Sequence, residues 1–184
     1  MNLIIFGPPG AGKGTQADFI VNKFNLYKLS TGEVLRNEIK NKTELGQKIS
    51  SIINSGSFVS NDIVKELVEL FISNNKYKDR LIFDGYPRNL IQAKTLNELL
   101  NKYDQKIDLV LKLSVSLETI KKRILERQTL EKRADDREEI AIKRYKTYEK
   151  STEPVIEFYK KLNLLKVIDG ERSIDQINKE ISDI

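Results

Sequence analysis

Cysteine and histidine are both missing from this chain of 184 residues. Without cysteine there can be no disulfide, no thiolate zinc site and no sulfur nucleophile. Without histidine, Ser-His-Asp hydrolysis, imidazole proton shuttling and His-ligated metals are excluded as well. Long apolar runs are also lacking: none nears the ~18 to 20 residues that cross a bilayer. Met1 leads directly into a strand-like run, with no charged segment followed by an apolar one that would read as a signal peptide. The expectation is a cytoplasmic protein with no membrane partner. Any catalysis must run on Lys, Arg, carboxylates, hydroxyls, backbone amides and a loosely held metal. Phosphoryl transfer suits that inventory, because it depends mainly on positioning and charge neutralisation.

What is present supports a core. The apolar fraction of 39% suffices for one globular domain of this length. The net charge of +5 invites a nucleic-acid reading, but 32 basic residues are scattered among 27 acidic ones along the whole chain. A solvated mixed-charge surface is the better reading, with no nucleic-acid partner.

Short apolar runs alternate with segments of helical period. Residues 2–6 (NLIIF), 80–84 (RLIFD), 107–113 (IDLVLKL) and 164–168 (LLKVI) read as strands, and 27–30 as a weaker fifth. Ile63, Leu67, Leu70 and Phe71 are expected on one helical face, and Ile174, Ile177, Ile181 and Ile184 on another. Ser173 with Gln176 reads as a capping box, and Asp135 with Glu138 as a similar start. Strands alternating with helices predict a parallel α/β sheet covered on both faces. Residues 31–59 have helical pattern without a strong strand, so they are expected outside the sheet, as is the polar stretch 128–133. No internal repeat or linker interrupts a single domain.

Four of the nine glycines fall in Gly7-Pro8-Pro9-Gly10-Ala11-Gly12-Lys13-Gly14-Thr15. The segment follows a strand and opens a helix, the context of a phosphate-binding loop. Its glycines let successive N–H groups curl around an anion, and the helix adds its positive end. Lys13 supplies a mobile point charge. Position 14 is Gly where the general motif G-x-x-x-x-G-K-[ST] has its Ser or Thr, and the hydroxyl comes one residue later at Thr15. Whether Thr15 meets magnesium directly, through water, or only meets phosphate stays open.

Several segments together resemble one family. GPPGAGKGTQ at residues 7–16 is similar to the P-loop of adenylate kinases and other nucleoside monophosphate kinases. Ser30-Thr31-Gly32 with Leu35-Arg36 resembles that family's STGD-x-LR segment, with Glu33 in place of Asp. Asp84-Gly85-Tyr86-Pro87-Arg88 with Gln92 resembles its DG-[FY]-PR motif. Arg123 and Arg127 resemble the arginines that begin the lid. Arg133-Ala134-Asp135-Asp136 with Arg144 resembles its close, and Asp169-Gly170 with Arg172 a terminal element. The resemblance implies a P-loop NTPase-type three-layer αβα fold with a five-stranded parallel sheet in the order 2-3-1-4-5. It divides the chain into a core (1–29, 60–127 and 134–184), a helical nucleotide flap (30–59) and a short lid (128–133). With five residues between Arg127 and Arg133 and no cysteine, this is a short-lid form with no zinc site.

The implied activity is Mg²⁺-dependent transfer between ATP and AMP giving ADP, by a monomer. ATP would lie on Gly10, Ala11, Gly12, Lys13, Gly14 and Thr15, with Arg123 and Arg127 meeting it and Arg172 near its adenine. AMP would be held by Thr31, Arg36, Gly85, Tyr86, Pro87, Arg88 and Gln92 with backbone at Ser57, Phe58 and Val59. Arg133 and Arg144 would span the phosphates, making Lys13, Arg88, Arg123, Arg133 and Arg144 the catalytic set.

The residues support this independently. Only nine of the 32 basic residues are arginine, and seven of those (36, 88, 123, 127, 133, 144 and 172) fall at the matched positions. A chain so biased to lysine keeps arginine where a planar fork is needed for phosphate oxygens. Asp84 ends a strand, where it either holds a magnesium-bound water or caps the turn before Gly85. Gln92 either reads an adenine edge or is a surface amide. The rivals are a UMP/CMP kinase of the same family, which usually carries Ala where Thr31 stands, a P-loop kinase for a non-nucleotide substrate, and a non-catalytic nucleotide sensor.

Overall fold

The computed structural model describes residues 1–131 and 136–184. The expected site residue Arg133 and the expected capping residue Asp135 lie outside them, as does the end of the expected lid. Five strands form one parallel sheet: β1 (Leu3–Phe6), β2 (Tyr27–Ser30), β3 (Leu81–Asp84), β4 (Leu109–Ser114) and β5 (Leu165–Asp169). Their order is β2-β3-β1-β4-β5, as the resemblance implied. Eight α-helices are described: α1 (Lys13–Phe24), α2 (Thr31–Lys40), α3 (Glu44–Asn54), α4 (Asn61–Ile72), α5 (Leu90–Lys102), α6 (Leu117–Glu131), α7 (Glu138–Lys161) and α8 (Ile174–Ser182).

The strands are apolar throughout because both faces of the sheet are covered. Alternate residues point to opposite sides. Ile4, Phe6, Leu29, Leu81, Phe83 and Val110 pack with residues of α4, α5 and α7, such as Val68, Leu96, Val155 and Tyr159. Leu3, Ile5, Ile82, Leu111 and Ile168 pack with Ala17 and Ile20 of α1 and Ile177 and Ile181 of α8. Three layers result. A smaller cluster joins Ile120 and Ile124 of α6 to Ala141 of α7.

The strands' starting ends are tied by a polar residue inside the expected first strand. Asn2 is fully buried; its amide donates to Gln105 and the Lys106 carbonyl, and its Oδ1 accepts from Leu81 N–H at 3.0 Å. Every polar atom of that side chain is thus satisfied, as burial demands.

Three expectations about faces and caps are corrected. In α4 the buried stripe is Val64, Leu67, Val68 and Ile72, whereas Leu70 is 72% exposed. The helix is turned so that Leu70 lies opposite the sheet, with Ile63 and Phe71 at the margins of the core. In α8 only Ile177 and Ile181 are buried, since Ile174 begins the helix at its outer edge and Ile184 lies beyond its end. The start of α7 is Arg137, with no side-chain cap, so Glu138 is the first helical residue rather than a capping partner. The box at Ser173 and Gln176 is present in both directions. The helical pattern of 31–59 resolves into α2 and α3, which pack on each other, and residues 128–131 continue α6.

Candidate active site

β1 and β3 end side by side, with Ile5 paired to Asp84, and β2 ends beside β3 with Ser30 paired to Asp84. Ligands of open α/β sheets collect at such carboxyl ends. A cleft of about 910 Å³ opens there, lined by the glycine loop, α2, residues 56–59, Asp84, Gly85, Pro87 and Arg88, and the inner faces of α6 and α7.

The loop between β1 and α1 turns through Gly10 at φ 85° and Gly12 at φ 91°, values that side-chain-bearing residues rarely adopt. Gly12 is the residue before α1, so the first N–H groups of that helix face the cleft with no side-chain cap. Lys13 folds back across the loop and donates to the carbonyls of Gly7 at 2.8 Å and Pro8 at 3.0 Å. Burial pushes its ammonium down to about 8; Asp84 opposes this, while Arg144, Arg88 and Arg127 add repulsion. One lysine thus feels three guanidinium groups and a carboxylate, from β3, the loop after it, α6 and α7. Gly10, Gly12, Gly14 and Thr15 line the cleft with it. Ala11 is buried behind the loop, offering only its carbonyl, which accepts from Arg123 at 3.3 Å.

On the other side, Thr31 Oγ1 donates to the Gly85 carbonyl at 3.0 Å, tying α2 to the end of β3. Arg88 Nε donates to the same carbonyl at 2.6 Å, and its guanidinium lies 5.2 Å from the Phe58 ring centre. Arg36 and Arg88 both approach Gly32. Gln92 Oε1 accepts from Arg88 N–H at 2.7 Å and its amide donates to Asn61 at 2.9 Å. It lines the cleft, yet its first duty is to hold the backbone of Arg88. Ser57, Phe58, Val59, Gly85 and Pro87 line the cleft too. Tyr86 does not: it is buried, its hydroxyl donating to the Gln92 carbonyl at 3.2 Å. It shapes the turn from below.

The remaining arginines divide. Arg127 makes a two-pronged bond to Asp136, at 2.7 and 2.6 Å, and Arg144 approaches the same carboxylate at 3.6 Å. Asp136 is fully buried. Arg123 bridges the Ala11 and Gly170 carbonyls, and with Arg127 and Arg144 it lines the cleft. Arg172 is not brought there: its guanidinium pairs with Glu180 of α8 and with Asp169.

Sequence reasoning missed Tyr148 and Thr152, which line the cleft one and two helical turns beyond Arg144; their spacing along α7 was the available signal. Thr152 donates to the Arg88 carbonyl at 3.0 Å. It also missed Asn61, which no local pattern marks.

Comparison with known proteins agrees over nearly the whole chain. The family model described as adenylate kinase matches residues 5–164. An adenylate kinase of Pelagibacter ubique is 47% identical, covering 100% of this chain and 99% of that one. One of Prochlorococcus marinus is 42% identical over 98% and 96%. One of Flavobacterium psychrophilum is 36% identical over 100% and 97%.

Proposed function

This chain belongs to the adenylate kinase family, and on that premise we propose that it transfers the terminal phosphoryl group of ATP to AMP, forming two ADP, through the residues gathered in the cleft. The observation carrying this reading is convergence. The glycine loop with Lys13 and the set Thr31, Arg36, Arg88 and Gln92 line one cleft from opposite sides, with Arg123, Arg127 and Arg144 between them. A kinase for a non-nucleotide substrate has no need of that second set.

In the proposed arrangement ATP phosphates lie on the amides of residues 10–15 and on Lys13. AMP lies beneath α2 and residues 57–59, its phosphate on Arg36 and Arg88. One ionised AMP oxygen attacks the terminal phosphorus of ATP, so no general base is needed. Holding the two in line contributes roughly 7 to 11 kcal/mol at best. Lys13, Arg88, Arg123 and Arg144 neutralise the charge spreading over the group in flight. We assign Arg133 to the same ring. Asp136 occupies Arg127 and Arg144 with a carboxylate that nucleotide phosphate would partly replace. Arg172, whose side chain pairs with Glu180 and Asp169 outside the cleft lining, is left out of the proposed ATP set.

Adenylate kinases use Mg²⁺ with ATP, and the residues present fit that use. Among the described residues no group of three or more acids converges as a cage. An ion arriving on phosphates with most of its water needs only one or two carboxylates. Asp84, 8% exposed at the end of β3 and lining the cleft, suits that role through water. When bound, the ion would lessen the charge on the triphosphate.

The proposed division is flap 30–59 and short lid 128–133 on one core. The alignment with the Pelagibacter relative runs over 210 positions against 184 residues here, and that with the Flavobacterium relative over 185. The reading puts the difference at the lid. Among the described residues no helix is long and apolar enough to cross a membrane. A monomer in the cytoplasm, where its nucleotides are, completes the proposal.

The test is ADP formation from MgATP with AMP, UMP, CMP or GMP as acceptor. AMP should be preferred by ~10²-fold or more in kcat/KM. Equal use of UMP or CMP would move the assignment to the pyrimidine enzyme, and ATP binding without turnover would leave a sensor.

A further inference from the structure

Residues 55–57, between α3 and α4, rest on the side of α7. Gly56 has φ 71°, and a Cβ placed there would lie 2.8 Å from Ile140 Cγ2 and 3.1 Å from Arg144 Cγ. Lys143 Nζ donates to the Ser55 carbonyl at 2.9 Å and to Ser57 Oγ at 3.2 Å. Ile140, Lys143 and Arg144 occupy i, i+3 and i+4 of one helix, and so share a face. Ser57 is therefore gripped by the helical turn whose next residue points a guanidinium into the cleft.

We propose that Lys143 is a positioning residue for the monophosphate nucleotide, a bolt that holds residues 57–59 over AMP. The inference rests on the AMP site proposed above. Its acceptors are a neutral carbonyl and a hydroxyl, so the bolt engages without a counter-charge and is little weakened by salt. Glycine at position 56 is what lets the loop come close enough, since any side chain would strike Ile140. Lys143 touches no reacting atom. It acts through Ser57 and the loop, and only on the half of the cleft that the flap covers. ATP, on the glycine loop and α6, is out of its reach.

The experiment is steady-state kinetics on the full chain with Lys143→Met, which keeps the stem and removes the donors, and Lys143→Arg, which restores them. KM for AMP should rise ~3- to 10-fold in the Met variant, in line with the loss of two exposed hydrogen bonds. KM for ATP and kcat should stay within about twofold, and the Arg variant should return toward the parent. Ser57→Ala should raise KM for AMP on its own and add little in combination with Lys143→Met. An unchanged KM for AMP, an equal rise for both nucleotides, or full additivity with Ser57→Ala would overturn the inference. A parent chain that forms no ADP would instead remove the functional reading beneath it.

Discussion

ATP binding should draw a proton into the protein above neutral pH. Lys13 is the source of the effect: burial in the loop lowers it to about 8, with Arg144, Arg88 and Arg127 adding to the repulsion and Asp84 only partly offsetting it. A triphosphate laid against Nζ brings opposite charge and restores the ordinary lysine range. For a cation whose free-state pKa is depressed, the free protein sheds the proton at lower pH than the complex, so uptake on binding grows with pH. Half a proton, about 0.5, should be taken up at pH 8, ~0.1 at pH 7 and ~0.9 at pH 9. Apparent affinity should fall ~5-fold from pH 8 to 9. Other groups do not confuse the reading. The chain has no histidine or cysteine, and the buried Tyr148 hydroxyl in the cleft is pushed up by burial. The amino terminus bonds to the Asp79 carbonyl, beyond the starting end of β1 and away from the loop. Calorimetric titration with MgATP in buffers of different ionisation enthalpy gives the proton count as a slope. A flat slope at both pH 8 and pH 9, or an unchanged slope in Lys13→Arg, would refute the argument. The same shift has a sign in stability. In the free fold Lys13 is an unfavourable charge below about pH 8, and its penalty fades as pH rises toward the unfolded value of 10.5.

Arg88→Ala should cut turnover by ~10² or more and weaken AMP use, because phosphate charge is left unpaired; unchanged kinetics would remove Arg88 from the site. Asp136→Asn should lower the stability of the nucleotide-free protein by about 1–3 kcal/mol, since Arg127 and Arg144 lose a buried carboxylate. Thermal melts should show that loss shrinking with saturating ATP, whose phosphates supply the missing counter-charge; an undiminished loss would contradict it. Ser173→Ala should cost about 1 kcal/mol by breaking the box that starts α8, with kcat and both KM values unchanged. Denaturant titration beside kinetics checks both halves.

The sequence by itself determined what depends on near neighbours. The glycine loop, the five apolar runs and the Ser173 box were all legible, because turn chemistry, strand alternation and capping are settled within a few residues. The arginines were legible as a set, since a lysine-rich chain retains the planar fork at few positions. Only the tertiary structure decided which of them meet. Arg127 and Arg144 share Asp136, while Arg172 turns away to Glu180. Gln92 holds the backbone of Arg88, Tyr86 faces the interior, and Lys143 reaches a loop more than 80 residues away in the chain. Helical faces were also settled late: Leu70 has the same apolar side chain as Leu67, and rotation of α4 against the sheet left it exposed. Such outcomes belong to partners distant in sequence, because burial and pairing are properties of the space between elements and are absent from any one of them.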